Sequence, residues 1–298
     1  MCESDKINKI KTIKESYDLV DIPSYILKLA PKVKFESFVD NILSIKMPNI
    51  DLLPTLPAQY GFKGGAARLA LGLALNYNFS FRRPRDIDIV RFGNKKLSKI
   101  DKELEKVFMK DDATHGHGIE ILESIEKYFQ TRDITINEIL IINNTIYFTV
   151  ACLTDLYNGI LRPTEFVLDK FRQPDPKITM KMIRLQALAS ISGEEFTIAI
   201  DRYNPKVTGF HIALNLDRAL SLNSRVAAEY IDECIEYEYL PDFLFGKSIG
   251  DVISYLAKED PNILNLDNIQ KILPKKSKKA KKLQKNNNQI NNIRKFLL

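Results

Sequence analysis

At 298 residues, with 45% hydrophobic side chains, the chain is long enough to bury a sizeable core and to divide into two or three units. Its three cysteines, Cys2, Cys152 and Cys234, are too far apart for a zinc motif and exclude a disulfide framework. No run approaches the ~20 apolar residues of a membrane span, and no apolar signal core follows Met1, so a cytoplasmic protein without a membrane partner is expected.

In chain order, residues 1–54 carry Ile and Leu among scattered Lys and Glu, and read as a helical N-terminal extension. Gln59 to Lys63 reads as a short strand, and Ala66 to Leu75 as a helix rich in Ala and Leu. Gly64-Gly65 then marks a strand-to-helix turn, where bare backbone N–H groups and the positive helix end can hold phosphate. Arg68, in the first turn of that helix, adds a charged donor. In Arg85-Asp86-Ile87-Asp88-Ile89-Val90 strand alternation aims both carboxylates one way and both isoleucines the other. Two aspartates so close resist joint ionisation unless a cation sits between them, and Mg²⁺ also binds substrate phosphates. The plain alternative is a half-buried strand with a polar wet face.

Gly118 to Leu122 reads as the strand beside these aspartates, bringing Glu120 close; a solvated edge-strand glutamate is the alternative. From Pro176, Ile183, Leu185, Ala187, Leu188 and Ile191 predict a partly buried helix, and Ser221 to Tyr239 another. His115-Gly116-His117 decorates a turn, with no clear third ligand. The formal net charge of +6 is concentrated at one end. Nine of the 44 basic residues fall at 275–298, leaving 35 against 38 acids in residues 1–274. The lysine run from Lys275 to Lys285 suits nonspecific phosphate contact or a solvated, disordered tail, and the Asn-rich residues after it favour disorder.

Five ordered motifs resemble the class II tRNA nucleotidyltransferase and bacterial poly(A) polymerase superfamily, over residues 60–190. Gly64-Gly65 with Arg68 is similar to its Gly-Gly-x-x-Arg-Asp, and Asp86-Ile87-Asp88 to its Asp-x-Asp. Thr131-Arg132-Asp133-Ile134-Thr135-Ile136-Asn137 is similar to its Arg-Arg-Asp-Phe-Thr-Ile-Asn. Asp155 to Arg162 resembles Asp-Leu-x-x-Gly-x-Ile-Arg, and Asp175 to Leu185 the helix that reads the base. The resemblance implies an α+β chain: a polymerase-beta-like head with a mixed sheet at 55–165, a helical neck and reduced body at 166–273, and the tail at 274–298. It implies Asp86 and Asp88 as Mg²⁺ ligands, with Glu120 as a third catalytic carboxylate. Gly64, Gly65, Arg68, Arg132, Asp133 and Asn137 would hold ATP or CTP, with Asp175, Lys181 and Arg184 toward the base.

The chain also departs from that pattern. Leu69 replaces an aspartate, Thr131 an arginine, and Ile178 the arginine that hydrogen-bonds the base. The segment between Glu120 and Ser124 is shorter than the family's flexible loop. The implied activity is template-independent addition of nucleotides to an RNA 3′ end, first of all that of tRNA. Poly(A) addition, a toxin-like or regulatory nucleotidyltransferase, and a catalytically dead RNA-binding subunit are the alternatives. The short body leaves room for a protein partner or a homodimer.

Overall fold

Apolar runs too short for helices lay down the sheet, and the first of them lie inside the supposed helical extension. The computed structural model describes residues 34–39, 41–46, 53–77, 87–94, 96, 98–108, 119–199 and 204–272. Strand β1 (Glu36–Val39) pairs antiparallel with β2 (Ile42–Lys46). The expectation of helices through residue 54 therefore fails at 36–46. Ile42, Leu43, Ser44 and Ile45 are all buried, which only a strand covered on both faces permits at this length. The head consequently takes in residues well before 55.

Strand β3 (Tyr60–Lys63) runs directly into helix α1 (Gly64–Leu75). Then come β4 (Asp88–Phe92), α2 (Lys99–Phe108), β5 (Glu120–Leu122) and α3 (Ile125–Gln130), whose N-terminus is capped by Ser124. A 3₁₀ turn at Thr135–Asn137 leads into β6 (Ile139–Ile142), β7 (Thr145–Thr149) and α4 (Val150–Asn158). The sheet has seven strands in the order β1-β2-β7-β6-β3-β4-β5, antiparallel throughout except for the parallel pair β4–β5. The fold is α+β with a mixed sheet.

The sheet is covered on both faces. Phe62, Ile89 and Ile141 pack with Ala67, Leu71 and Leu75 of α1 and with Cys152, Leu153 and Leu156 of α4. Val90, Leu140 and Ile142 pack under Ile125, Tyr128 and Phe129 of α3. At ~1.5–3 kcal/mol for each fully buried large aliphatic side chain, these two layers dominate the stability of the head.

Strand β8 (Ile160–Leu161) pairs parallel with β9 (Thr197–Ile198), and between them runs α5 (Pro176–Ile191). This helix has two buried faces. Met182, Leu185 and Ala189 join the head core, whereas Met180, Ile183 and Ala187 join a second core with α6 (Gly209–Leu222), α7 (Ser224–Glu236), α8 (Ile249–Glu259) and α9 (Asp267–Ile272). Its weak amphipathic pattern follows from serving both cores. The expected tail at 274–298, His115 and His117 lie outside the described residues. Among the described residues no helix is long and apolar enough to cross a membrane.

Candidate active site

Register decides what shares a face. Lys63 of β3 pairs with Asp88 of β4, and Val90, two residues on, pairs with Glu120 of β5. Because side chains two apart in a strand point the same way, Lys63, Asp88 and Glu120 all lie on one side of the sheet. Asp86 lies outside the described residues, so its place beside Asp88 rests on the alternation of the sequence.

The strand-to-helix turn is tight because of Gly64. Its φ of +61° suits glycine, and a Cβ there would sit 2.7 Å from Oδ2 of Asp88. The glycine thus leaves the space that the carboxylate occupies beside the N-terminus of α1. The side chain of the N-cap residue, Lys63, makes no capping hydrogen bond, and the first turn holds no acid. Gly65 continues the same turn. The positive end of a helix and a carboxylate meet here with little else between them.

Glu120 sits between two cations. Arg132 donates from both terminal nitrogens to it, at 2.6 and 3.1 Å, and Lys63 Nζ donates to Oε2 at 2.6 Å. Burial alone would raise the Glu120 carboxyl, but Arg132 and Lys63 hold it below the ordinary glutamate value. The Arg132 guanidinium lies 4.0 Å from the centre of the Tyr128 ring, and its Nε donates to the Tyr128 carbonyl at 2.8 Å. Burial opposes the charge of Arg132, and Glu120 more than restores it. Glu120, expected as a third metal-ligating carboxylate, here accepts from an arginine and a lysine.

A second network crosses from α1 to α5. Arg68 is buried, and its Nη1 donates to Asn137 Oδ1 at 2.5 Å. Asn137 Nδ2 donates to Asp133 Oδ1 at 2.8 Å, the Ile134 N–H donates to the same oxygen at 2.9 Å, and Lys181 Nζ donates to Oδ2. Burial pushes the Asp133 carboxyl up; the charge and hydrogen bond of Lys181, then Asn137 and Ile134, bring it far below the usual range. Burial also lowers the Arg68 guanidinium, with Cys152, Asp88 and Asp133 opposing that shift. Arg68 thus ties the turn to the third motif from inside, and it is not a surface donor.

The fourth motif supports the third. Asp155, whose side chain is 2% exposed, accepts from Thr135 Oγ1 at 2.6 Å and from Arg162 Nε at 3.0 Å. Thr164 Oγ1 donates to the Arg132 carbonyl, and Tyr128 Oη donates to the Ile139 carbonyl at 2.7 Å. Gly159, with φ of +65°, closes the intervening turn against the Glu195 carbonyl, where a Cβ would collide.

The residues expected at the base do not gather in one place. Asp175 caps α5, accepting from the Lys177 N–H at 2.8 Å, and is exposed. Ile178 packs against the head core. Arg184 Nε donates to Asn215 of α6 at 3.3 Å, which attaches it to the helical body. Of the three expected there, only Lys181 reaches the motif network. Lys63 and Tyr128 are participants that motif reading missed. The lysine sits just before Gly64, where its position as the last strand residue before a phosphate-type turn was the available signal.

No family model matches the chain, and no curated protein matches it. A solved complex of a CCA-adding enzyme with CTP superposes with a TM-score of 0.40, at 20% identity, covering 69% of this chain and 55% of that one. A tRNA-processing enzyme with CTP gives 0.32 at 16% identity, covering 67% of this chain and 62% of that one. The chain therefore spans little more than half the length of either structure. Likenesses this faint carry no activity across.

The donor chemistry fits a hard divalent cation at one place. Asp88 offers a carboxylate in the space that Gly64 leaves, and the sequence adds Asp86 two residues earlier. Among the described residues no three His, Cys, Asp or Glu side chains converge as a ligand group. Asp88 with Asp86 is thus the candidate Mg²⁺ pair, and the Glu120 oxygens are held by protein cations.

Proposed function

We propose that this chain is a template-independent RNA nucleotidyltransferase that adds nucleotides from ATP or CTP to an RNA 3′ end, first of all the acceptor end of tRNA. The observation that carries the reading is the Asp88 carboxylate lodged against Gly64 at the N-terminus of α1, beside the cationic pair Lys63 and Arg132. Phosphate-binding backbone, carboxylate and cations are what phosphoryl transfer needs in one place, because its catalysis is mostly positioning and charge stabilisation. The order of the motifs in the sequence supports the same reading.

In this reading the N–H groups at Gly64 and Gly65 receive triphosphate oxygens, and Lys63 and Arg132 oppose the charge on the leaving pyrophosphate. The RNA 3′ oxygen forms a bond to the α-phosphorus as the bond to the bridging oxygen breaks, and the hydroxyl proton passes to solvent. Asp86 and Asp88 would hold Mg²⁺, which when bound would neutralise the triphosphate and lower the pKa of the attacking hydroxyl. Asp133 and Asn137 orient the sugar through a network already fixed by Lys181 and Arg68. Glu120 acts as a positioning residue, holding Lys63 and Arg132.

The test offers purified protein each labelled triphosphate with Mg²⁺, together with tRNA lacking its 3′ end or with unstructured RNA. Extension of the tRNA by C and A supports the reading in full, and extension of unstructured RNA by A alone moves the substrate to poly(A) addition. No incorporation with any triphosphate and either RNA overturns it.

A further inference from the structure

Helix α7 carries Glu229, Asp232, Glu233 and Glu236 at spacings of three and four, so the four carboxylates share one face. With Ile235 and Phe245 they line a cleft of ≈ 250 Å³. Among the described residues none of the four pairs with a cation. Glu229 accepts a hydrogen bond from Ser190 Oγ of α5 at 2.5 Å. Glu233 is different again: it is 9% exposed, and its Oε2 is buried with no hydrogen-bond partner. A buried polar atom left without a partner is costly, and Glu233 is one of the residues that line the cleft.

The surroundings say which donor. The charges acting on Glu233 are those of Glu236, Glu229 and Asp232, all on α7, while Phe245, from outside that helix, is uncharged. Burial and then these like charges raise the Glu233 carboxyl to about 7. The Phe245 ring is 69% exposed at the edge of the cleft, a surface suited to a cation or to methylene groups. The four carboxylates do not converge closely enough to form a metal-ligand group. Acids spread along a helix face, with an aromatic and an isoleucine beside them, match an extended organic cation better than a single ion.

We propose that the α7 cleft binds an aliphatic polyammonium chain, with one ammonium pairing with Glu233, others with Glu229, Asp232 or Glu236, and its methylenes against Ile235 and Phe245. Such a chain is either a free polyamine or the lysine side chains at 275–285 of this protein, which present the same primary amines. The site is independent of the nucleotide-transfer reading.

Titration calorimetry with spermidine on the full-length protein tests it. Binding should weaken about tenfold in Glu233→Gln and in Glu236→Gln, as loss of a charge-assisted contact does. Glu103→Gln, on α2 outside the cleft, should leave it unchanged. Affinity should rise from pH 6 to pH 8 in the wild type, because the cation pairs with ionised Glu233, and this rise should shrink in Glu233→Gln. A full-length variant with Lys275, Lys276, Lys278 and Lys279 changed to Gln separates the two sources. Tighter spermidine binding there than in the wild type assigns the cleft to the chain's own lysines; equal binding assigns it to free polyamine. No binding in either protein, or equal losses in Glu103→Gln and Glu233→Gln, overturns the proposal.

Discussion

The sheet face of the head and the acidic face of α7 both bury carboxylates, and they end with opposite electrostatics. Glu120 and Asp133 are partly buried beside Arg132, Lys63 and Lys181, and their carboxyls fall below the ordinary range. Glu233 is buried among Glu236, Glu229 and Asp232, and its carboxyl rises to about 7. Desolvation pushes all three upward; the sign of the neighbouring charge decides the outcome. The carboxylates of the head face are therefore met by cations of the head and of α5, whereas among the described residues no cation pairs with the acids of α7.

The largest expected effect lies where the head face holds its one candidate metal carboxylate among the described residues. Asp88→Ala should lower nucleotide incorporation by more than the ~10–100-fold that changes beside a metal site cost, with secondary structure unchanged by circular dichroism. Wild-type incorporation at saturating Mg²⁺ in this variant would remove the metal assignment. On the other face, Glu233→Gln should stabilise the protein by up to ~3 kcal/mol at pH 8. The sign follows from a folded-state value raised from 4.5 to about 7: the penalty is absent below 4.5, grows between the two values and is complete above 7. Urea denaturation of both proteins at pH 4 and pH 8 checks it, and a gain that does not grow with pH refutes the burial argument.

Asp133→Asn should do the reverse, costing about 2 kcal/mol at neutral pH through the lost ion pair with Lys181. Its carboxyl is depressed in the folded state, so that stability is present above the unfolded value of 3.8 and disappears as pH falls below it. Denaturation midpoints for the two proteins should converge on acidification, and a constant gap would show that the ion pair is not the source. The smallest effect is expected at Ile178→Ala: about 1 kcal/mol from a partly buried side chain, with no change in the ratio of CTP to ATP incorporation. A shifted ratio would return that position to the base site.

Much of the head was legible before its structure. Tyr60–Lys63, Gly64–Leu75 and the strand at Glu120 fall where residue spacing and turn chemistry put them. Helix α5 was legible as an element but not as a shared one, because its sequence shows which residues are apolar and not that two cores claim alternate faces. Strands β1 and β2 were misread as helix. Ile42-Leu43-Ser44-Ile45 has no clean alternation when both faces are buried, and short apolar runs are ambiguous in that way.

For the site, the sequence by itself determined the chemical inventory: a glycine turn, paired aspartates, Arg132-Asp133 with Asn137, and a lysine-rich end. Local rules suffice for that, since glycine at positive φ and side-chain alternation act over a few residues. Only the tertiary structure decided the partners. It gave Glu120 to Lys63 and Arg132, Asp133 to Lys181 across 48 residues, and Arg184 to the body, and left the buried Oε2 of Glu233 without a hydrogen-bond partner. A carboxylate's role depends on the charges within a few ångströms of it, and those arrive from strands and helices that are remote in the chain.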